Sequence, residues 1–348
     1  FGFHRCGDLP GHVVGVDIEA LAVRPDPDRR HHRDVFVARD QRKQRGVDSR
    51  DLPHVAQIHL LAVLERRALD ALDQSPVDPA QAAKVTLAAG NVPYGEATRF
   101  GMIRTDETGR VLEFVEKPTV TDAHLAFMGV YLFDAPFLKR ILTETQGPNL
   151  ILDVLMPFIH DADLVRTYSF GGYWDDVGSL PHYFRAHQRL LGDDPAPNLY
   201  DPGWRIYTRS EEMPPVVFHD SAEVSDSLLS NGAVIAAMVE RSVLSPGVHV
   251  GPGAVVRDAV LLNGTYVGPG AVVERAVVDK NVMIGPGARV GRLDADATCG
   301  NPEFEGITLV GKWARIADGA RIEPGVVVTP GEPMPEEQHY ARIGEVQV

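Results

Sequence analysis

A carboxylate and an ammonium stand side by side at Glu116 and Lys117, near the end of V-L-E-F-V-E-K-P over Val111–Pro118. Glu116 can accept hydrogen bonds from sugar hydroxyls, and Lys117 is a compact point charge suited to one phosphate. Taken alone, E-K-P is also what a solvated strand end looks like. Apolar Val111, Phe114 and Val115 predict a strand, entered through a turn at Thr108-Gly109. Pro118 stops it, because proline has no N–H to give a ladder.

Other elements must hold that strand. Lys84–Ala89 reads as a strand broken by Asn91-Val92-Pro93, and Met128–Phe133 (M-G-V-Y-L-F) is a continuous apolar run expected of a buried strand. Tyr131 and Phe133 are core by this reading. Ala135–Leu142 reads as a short helix with Asp134 at its cap and Pro136 in its first turn. Asp153–Ile159 is a second apolar helical stretch. Leu164–Tyr168 reads as a strand that leads into G-G-Y-W-D-D-V-G over Gly171–Gly178. Pro181–Leu191 follows as a helix with Tyr183, Phe184 and Leu190 on its apolar face. Strands alternating with helices predict an α/β domain.

After a proline-rich connector over Asp193–Pro215 the sequence repeats. Val250-Gly-Pro-Gly-Ala254, Val267-Gly-Pro-Gly-Ala271 and Ile284-Gly-Pro-Gly-Ala288 recur every seventeen positions, and aliphatics within them step by about six. Ile316, Ile322 and Val328 resume the step after an interruption. A hexapeptide period of this kind predicts a parallel β-helix of about eighteen residues per coil, with stacked coils burying one aliphatic column. Glycine and proline supply the corners.

The 348 residues suffice for two domains, and 44% apolar with 24% charged residues is a globular composition. A net charge of −14 argues against non-specific binding to nucleic acid or to a membrane surface. No apolar run reaches the roughly 20 residues of a membrane helix. Cys6 and Cys299 alone do not make a disulfide framework, which points to a reducing cytoplasm. His160, His182 and His187 lack ligand spacing with any cysteine and read as surface residues.

Residues 1–82 stand apart. Arg24–Asp34 and Arg39–Arg45 are dense in Arg, Asp and His, no Tyr or Trp precedes Tyr94, and only Ile58–Leu72 has helical spacing. The segment reads as disordered or as an incorrect translation upstream of roughly Ala82. The first residue is Phe1 and the first methionine is Met102, which is not expected of a complete natural reading frame.

From Ala83 to Val290 the chain resembles the nucleotide-sugar pyrophosphorylases, and within them the bacterial ADP-glucose pyrophosphorylases (glucose-1-phosphate adenylyltransferases). The resemblance is carried by Glu96–Gly101 (E-A-T-R-F-G), Phe114–Pro118, Met128–Phe133, Tyr173–Ser179 (Y-W-D-D-V-G-S) and the connector Leu199–Thr208 (L-Y-D-P-G-W-R-I-Y-T) with Met213-Pro-Pro. It implies an α/β nucleotidyltransferase-like domain (Rossmann-like, mixed sheet) over 83–192. A linker over 193–215 and a left-handed parallel β-helix of hexapeptide repeats over 216–348 would follow. The implied reaction is nucleotidyl transfer from ATP to glucose 1-phosphate, giving ADP-glucose and pyrophosphate for glycogen synthesis, in a cytoplasmic homotetramer.

By the same resemblance Lys117 grips the phosphate of glucose 1-phosphate and Glu116 the sugar hydroxyls. Gly101 lets backbone approach the sugar, and Asp176 is a Mg²⁺ ligand, an oxygen donor suited to a hard cation. Trp174 and Asp175 shape the loop. Asp176 could equally cap the helix near Pro181. The chain departs from the family in two places. Phe127 stands where the family has a serine that contacts the sugar, and residues 1–82 contain neither the glycine-rich nucleotide loop nor the segment that brings the first metal aspartate. A non-catalytic regulatory or scaffold subunit, and another sugar-1-phosphate nucleotidyltransferase, are therefore alternatives. A hexapeptide acyltransferase would need a histidine at a coil corner, for which the β-helix repeats offer His249, with no supporting motif.

Overall fold

The computed structural model describes residues 83–144, 155–159, 164–202, 212–291 and 301–332. The readings of 1–82, of 203–211 within the connector and of 333–348 at the end of the β-helix domain fall outside those residues. The chain divides into two compact units between Trp174 and Asp175.

The first unit is a five-stranded mixed sheet. Its strands are β1 (Val85–Asn91), β2 (Gly101–Thr105), β3 (Val111–Glu116), β4 (Leu125–Phe133) and β5 (Val165–Phe170), in the spatial order β3-β2-β4-β1-β5. Every pairing is antiparallel except β1 with β5. Interior strand β1 is buried along nearly its whole length, as a strand covered on both sides must be. On one face Val85, Leu87, Ile103, Phe114, Tyr131, Phe133 and Val165 meet helix α1 (Ala135–Glu144) and the short α2 (Met156–Ile159). On the other, Ala88, Met102, Ala126, Met128 and Val130 meet Phe100, Tyr168, Phe170 and Trp174.

Two local devices shape this sheet. The register between β1 and β4 jumps from Leu87↔Tyr131 to Ala89↔Phe127, and Gly129 takes φ +79° inside the bulge. The extra residues bend β4, which the apolar pattern of M-G-V-Y-L-F does not announce. At the β2–β3 turn the Asp106 carboxylate accepts from the Thr108 N–H, the Thr108 hydroxyl and the Arg110 N–H, fixing a tight loop with Gly109 at φ +78°. The loop reaches the far edge of the sheet, where the Thr167 N–H donates to the Gly109 carbonyl at 2.7 Å. The edge strands β3 and β5 thus meet at one end, which protects both edges.

Helix α1 starts where the sequence puts it. The Phe137 N–H donates to Asp134 Oδ1 at 3.0 Å, and Asp134 also holds Lys84 at 3.4 Å. Replacing Asp134 with alanine should cost about 1 kcal/mol in urea unfolding, the usual worth of an N-cap.

In the second unit parallel strands stack in register: Val239, Val256, Val273 and Val290 form one inward column, Leu244, Leu261 and Val278 a second, and Ile235, Val250, Val267 and Ile284 a third. The central coils take seventeen residues rather than eighteen. One corner of each is a single residue in the left-handed region, Arg241, Asp258 or Arg275, so the coil closes early. After Val290 the column resumes at Ile322, thirty-two positions on, and the stacking continues. Arg241 makes a bidentate pair with Asp258 (2.7 and 2.8 Å), and Arg257 bridges Glu240 and Glu274 (2.8 and 3.4 Å). These pairs tie successive corners together and hold the Glu240 carboxyl below its ordinary range, the Arg257 hydrogen bond first among the causes.

Helix α3 (Leu180–Gln188) belongs to this second unit. Tyr183 and Phe184 cover an outward-facing row of Val260, Leu262, Val277, Ile307 and Leu309. Residues 175–192 thus cluster with the second compact unit. The apolar runs at Val260–Leu262 and Ala276–Val278 are unbroken because both faces of those strands are buried.

His187 also differs from the surface role read for it. Its ring lies 4.4 Å from that of Tyr183, and its Nδ1 donates to the Tyr183 carbonyl at 2.9 Å. Burial lowers its pKa below the ordinary 6.5, so protonation favours the unfolded chain. The stability this histidine supports is present above that value and is lost as pH falls through and below it. Between about pH 7.5 and about pH 5.5 the urea midpoint should drop, and His187→Gln should flatten that drop.

Candidate functional site

Antiparallel register brings Gly101 opposite Glu116 at the end of the β2–β3 ladder. The next residue, Lys117, leaves the strand with φ +47°, a conformation costly for any side chain but glycine. Its N–H donates to the Phe100 carbonyl at 2.9 Å, which closes the turn, and Pro118 is buried behind it. The side chains of Glu116 and Lys117 are exposed. Strand end, left-handed residue and proline together point a carboxylate and an ammonium outward from a rigid support.

That support is aromatic. Phe100 is buried, with its ring 5.3 Å from Trp174 and the Arg99 guanidinium 5.2 Å over it. Arg99 in turn pairs with Glu96 at 3.3 Å across the 3₁₀ helix Tyr94–Arg99. Trp174 joins the two apolar clusters on this face of the sheet, which gives the tryptophan of Y-W-D-D-V-G a structural task.

Gly101 is glycine for a reason the sequence does not show. A Cβ there would sit 2.4 Å from Phe114 Cζ and 3.0 Å from Glu116 Oε2. The missing side chain makes room for the Phe114 ring and lets the Glu116 carboxylate lie over β2. Phe127 is half-buried on the same face as Phe114, with ring centroids 6.0 Å from Phe114 and 4.8 Å from Tyr131. Ala126 pairs with Met102, so Phe127 sits one position further along β4 toward Gly101. Gly101, Glu116, Lys117 and Phe127 are thus gathered at one end of three neighbouring strands.

Asp176 lies in the second unit, in the loop before α3. Its Oδ1 accepts from the Gly178 N–H at 3.2 Å, a turn that orients the carboxylate. It does not cap the helix: Ser179 occupies that position, and its hydroxyl meets His182 Nδ1 at 2.6 Å instead of a helix N–H. The Ser179–His182 contact has the look of a nucleophile and its base. Arg185 Nη2 donates to His182 Nε2 at 3.2 Å, however, so Nδ1 carries the proton and donates to the serine. That polarity disarms it. His249 Nδ1 likewise donates to the Gly247 carbonyl, at 3.0 Å. Among the described residues there is no group of three or more His, Cys, Asp or Glu side chains placed to hold a metal.

Residues 74–192 match the family model for nucleotidyl transferases, and residues 215–310 match the GlmU-like C-terminal hexapeptide model. The chain is 42% identical over 178 residues to a glucose-1-phosphate adenylyltransferase of Thermotoga neapolitana, covering 49% of this chain and 42% of that protein. It is 40% identical over 183 residues to the glucose-1-phosphate adenylyltransferase of Geobacillus stearothermophilus (51% and 47%). To that of Thermomicrobium roseum it is 44% identical over 158 residues (44% and 37%). The chain spans less than half the length of each of these relatives. No helix among the described residues is long and apolar enough to cross a membrane.

Proposed function

From a chain built of a nucleotidyl transferase domain and a hexapeptide-repeat domain, we propose nucleotidyl transfer from ATP to α-D-glucose 1-phosphate. A phosphate oxygen of the sugar phosphate bonds to the α-phosphorus of ATP, the bond from that phosphorus to the bridging oxygen breaks, and pyrophosphate leaves. Both partners are anions, so catalysis is a matter of positioning and charge neutralisation. The observation that carries the reading is the Glu116–Lys117 corner. Its ammonium can neutralise the attacking phosphate while the adjacent carboxylate accepts from the sugar hydroxyls and sets its orientation. Gly101 keeps the strand low beneath that carboxylate, and Phe127 supplies an apolar wall beside it.

Nucleotidyl transferases of this kind generally use a divalent metal, and in our reading it is Mg²⁺ with Asp176 as one ligand. The residue fits, since Mg²⁺ is commonly held by one or two carboxylates together with substrate phosphates and water. When bound, the ion would spread the negative charge of the phosphates. Asp176→Asn should raise the Mg²⁺ concentration needed for half-maximal rate by roughly tenfold or more, as loss of one charged ligand implies.

Assembly as a homotetramer, a cytoplasmic location and supply of glycogen synthesis belong to the same reading. Exposed Val217, Phe218 and Val224 on the first coil support association, and two widely spaced cysteines suit a reducing compartment. The test is to incubate the chain with ATP, glucose 1-phosphate and Mg²⁺ and identify the sugar product by chromatography. ADP-glucose is expected. A preference for another nucleoside triphosphate or another sugar 1-phosphate would overturn the assignment.

A further inference from the structure

We infer that Arg110 and Arg166 form a binding site for a phosphate-class oxyanion at the seam where the edge strands β3 and β5 meet. The two arginines face one another across an antiparallel bridge. The Thr167 N–H donates to the Gly109 carbonyl beside it, which places Arg110 and Arg166 in the closely spaced, non-hydrogen-bonded kind of pair. Side chains in such a pair leave the same face of the sheet, with Cβ atoms about 4.5–5.5 Å apart. Like charges so placed repel, and the Asp106 carboxylate, which attracts Arg110 electrostatically, makes no ion pair with it. Neither guanidinium has a carboxylate pair among the described residues, and Arg166 Nε is buried without a hydrogen-bond partner.

The nearby acid does not fill the gap. Asp106 spends its Oδ1 on Thr108 and on the Arg110 backbone N–H, and the Thr108 hydroxyl is first among the groups that hold its carboxyl below the ordinary range. Thr86 pairs with Arg166 on the other side, adding a hydroxyl to the neighbourhood and no charge. Two guanidinium forks, one with an unused buried donor, match the tetrahedral oxygens of a phosphate group. Six positions along β3 separate Arg110 from Glu116, about 20 Å at strand rise, so this site is distinct from the Glu116–Lys117 corner. The inference stands whether or not the proposed reaction is correct.

Inorganic phosphate titrated calorimetrically into the full chain, at constant ionic strength, tests it. One saturable site is expected to survive Lys117→Gln within about twofold. Arg166→Gln and Arg110→Gln should each weaken it by roughly tenfold or more, about 1.4 kcal/mol per tenfold. A phosphate monoester in place of phosphate tells whether the site takes the free ion or a substituted one, and saturable binding of either that depends on both arginines supports the inference. If Arg166→Gln fails to fold, Arg110→Gln decides, since Arg110 is partly exposed on a turn. Absence of saturable binding, or binding indifferent to the arginine substitutions, would overturn the site.

Discussion

Replacing Lys117 with glutamine is expected to lower kcat/KM for glucose 1-phosphate by about 10²–10³, the usual cost of removing one charge-stabilising donor from a reacting centre. The expectation rests on placement. Lys117 is exposed, follows a carboxylate brought alongside Gly101, and is held by the Phe100 carbonyl in a left-handed turn. That turn allows two further variants to separate charge from backbone. Lys117→Gly keeps the turn, since glycine takes positive φ readily, yet should lose as much activity as the glutamine variant. Lys117→Arg retains charge but replaces a compact ammonium with a planar fork, so partial activity with a raised KM is expected. Equal loss in all three, with a lower melting temperature, would assign Lys117 to folding instead.

Gly268→Ala should destabilise the β-helix by about 3 kcal/mol, the upper range for forcing atoms into a packed interior. The two glycines of one Gly-Pro-Gly corner have different tasks. A Cβ on Gly268 would lie 2.6 Å from Pro286 N and 2.8 Å from Gly285 C, both backbone atoms of the next coil. Nothing there can rotate aside. Gly270 has no atom within 4 Å of its Cβ position but takes φ +65°. Gly270→Ala should therefore cost only about 1 kcal/mol, the strain of a left-handed alanine, and Gly270→Asn less. Urea unfolding followed by circular dichroism checks the difference. Similar costs at both positions would mean the coils can shift apart, contrary to the registered stacking.

Much of this molecule is legible from residue order because its signals are local or strictly periodic. The Gly-Pro-Gly repeat specifies the β-helix columns, and Asp134 marks the start of α1, as the Phe137 N–H confirms. What escapes the sequence depends on contacts between distant segments. The bulge at Gly129, the docking of the Asp106–Arg110 turn on Thr167 and the packing of α3 against Val260 and Val277 have no periodic trace. The reason for glycine at position 101 was hidden likewise, since Phe114 is opposite Ile103 and reaches it only across the sheet. For the candidate site, the sequence shows the carboxylate and ammonium of E-K-P side by side, whereas the left-handed turn at Lys117 leaves no trace in it.

Pyrophosphate release from the full chain tests the central claim most directly, with ATP, glucose 1-phosphate and Mg²⁺ supplied together and each omitted in turn. Release that requires all three and falls sharply in Lys117→Gln is the predicted result. Release with ATP alone would describe a hydrolase and contradict the role given to the Glu116–Lys117 corner. A folded chain that binds glucose 1-phosphate yet releases no pyrophosphate would contradict the transferase reading and identify a non-catalytic subunit.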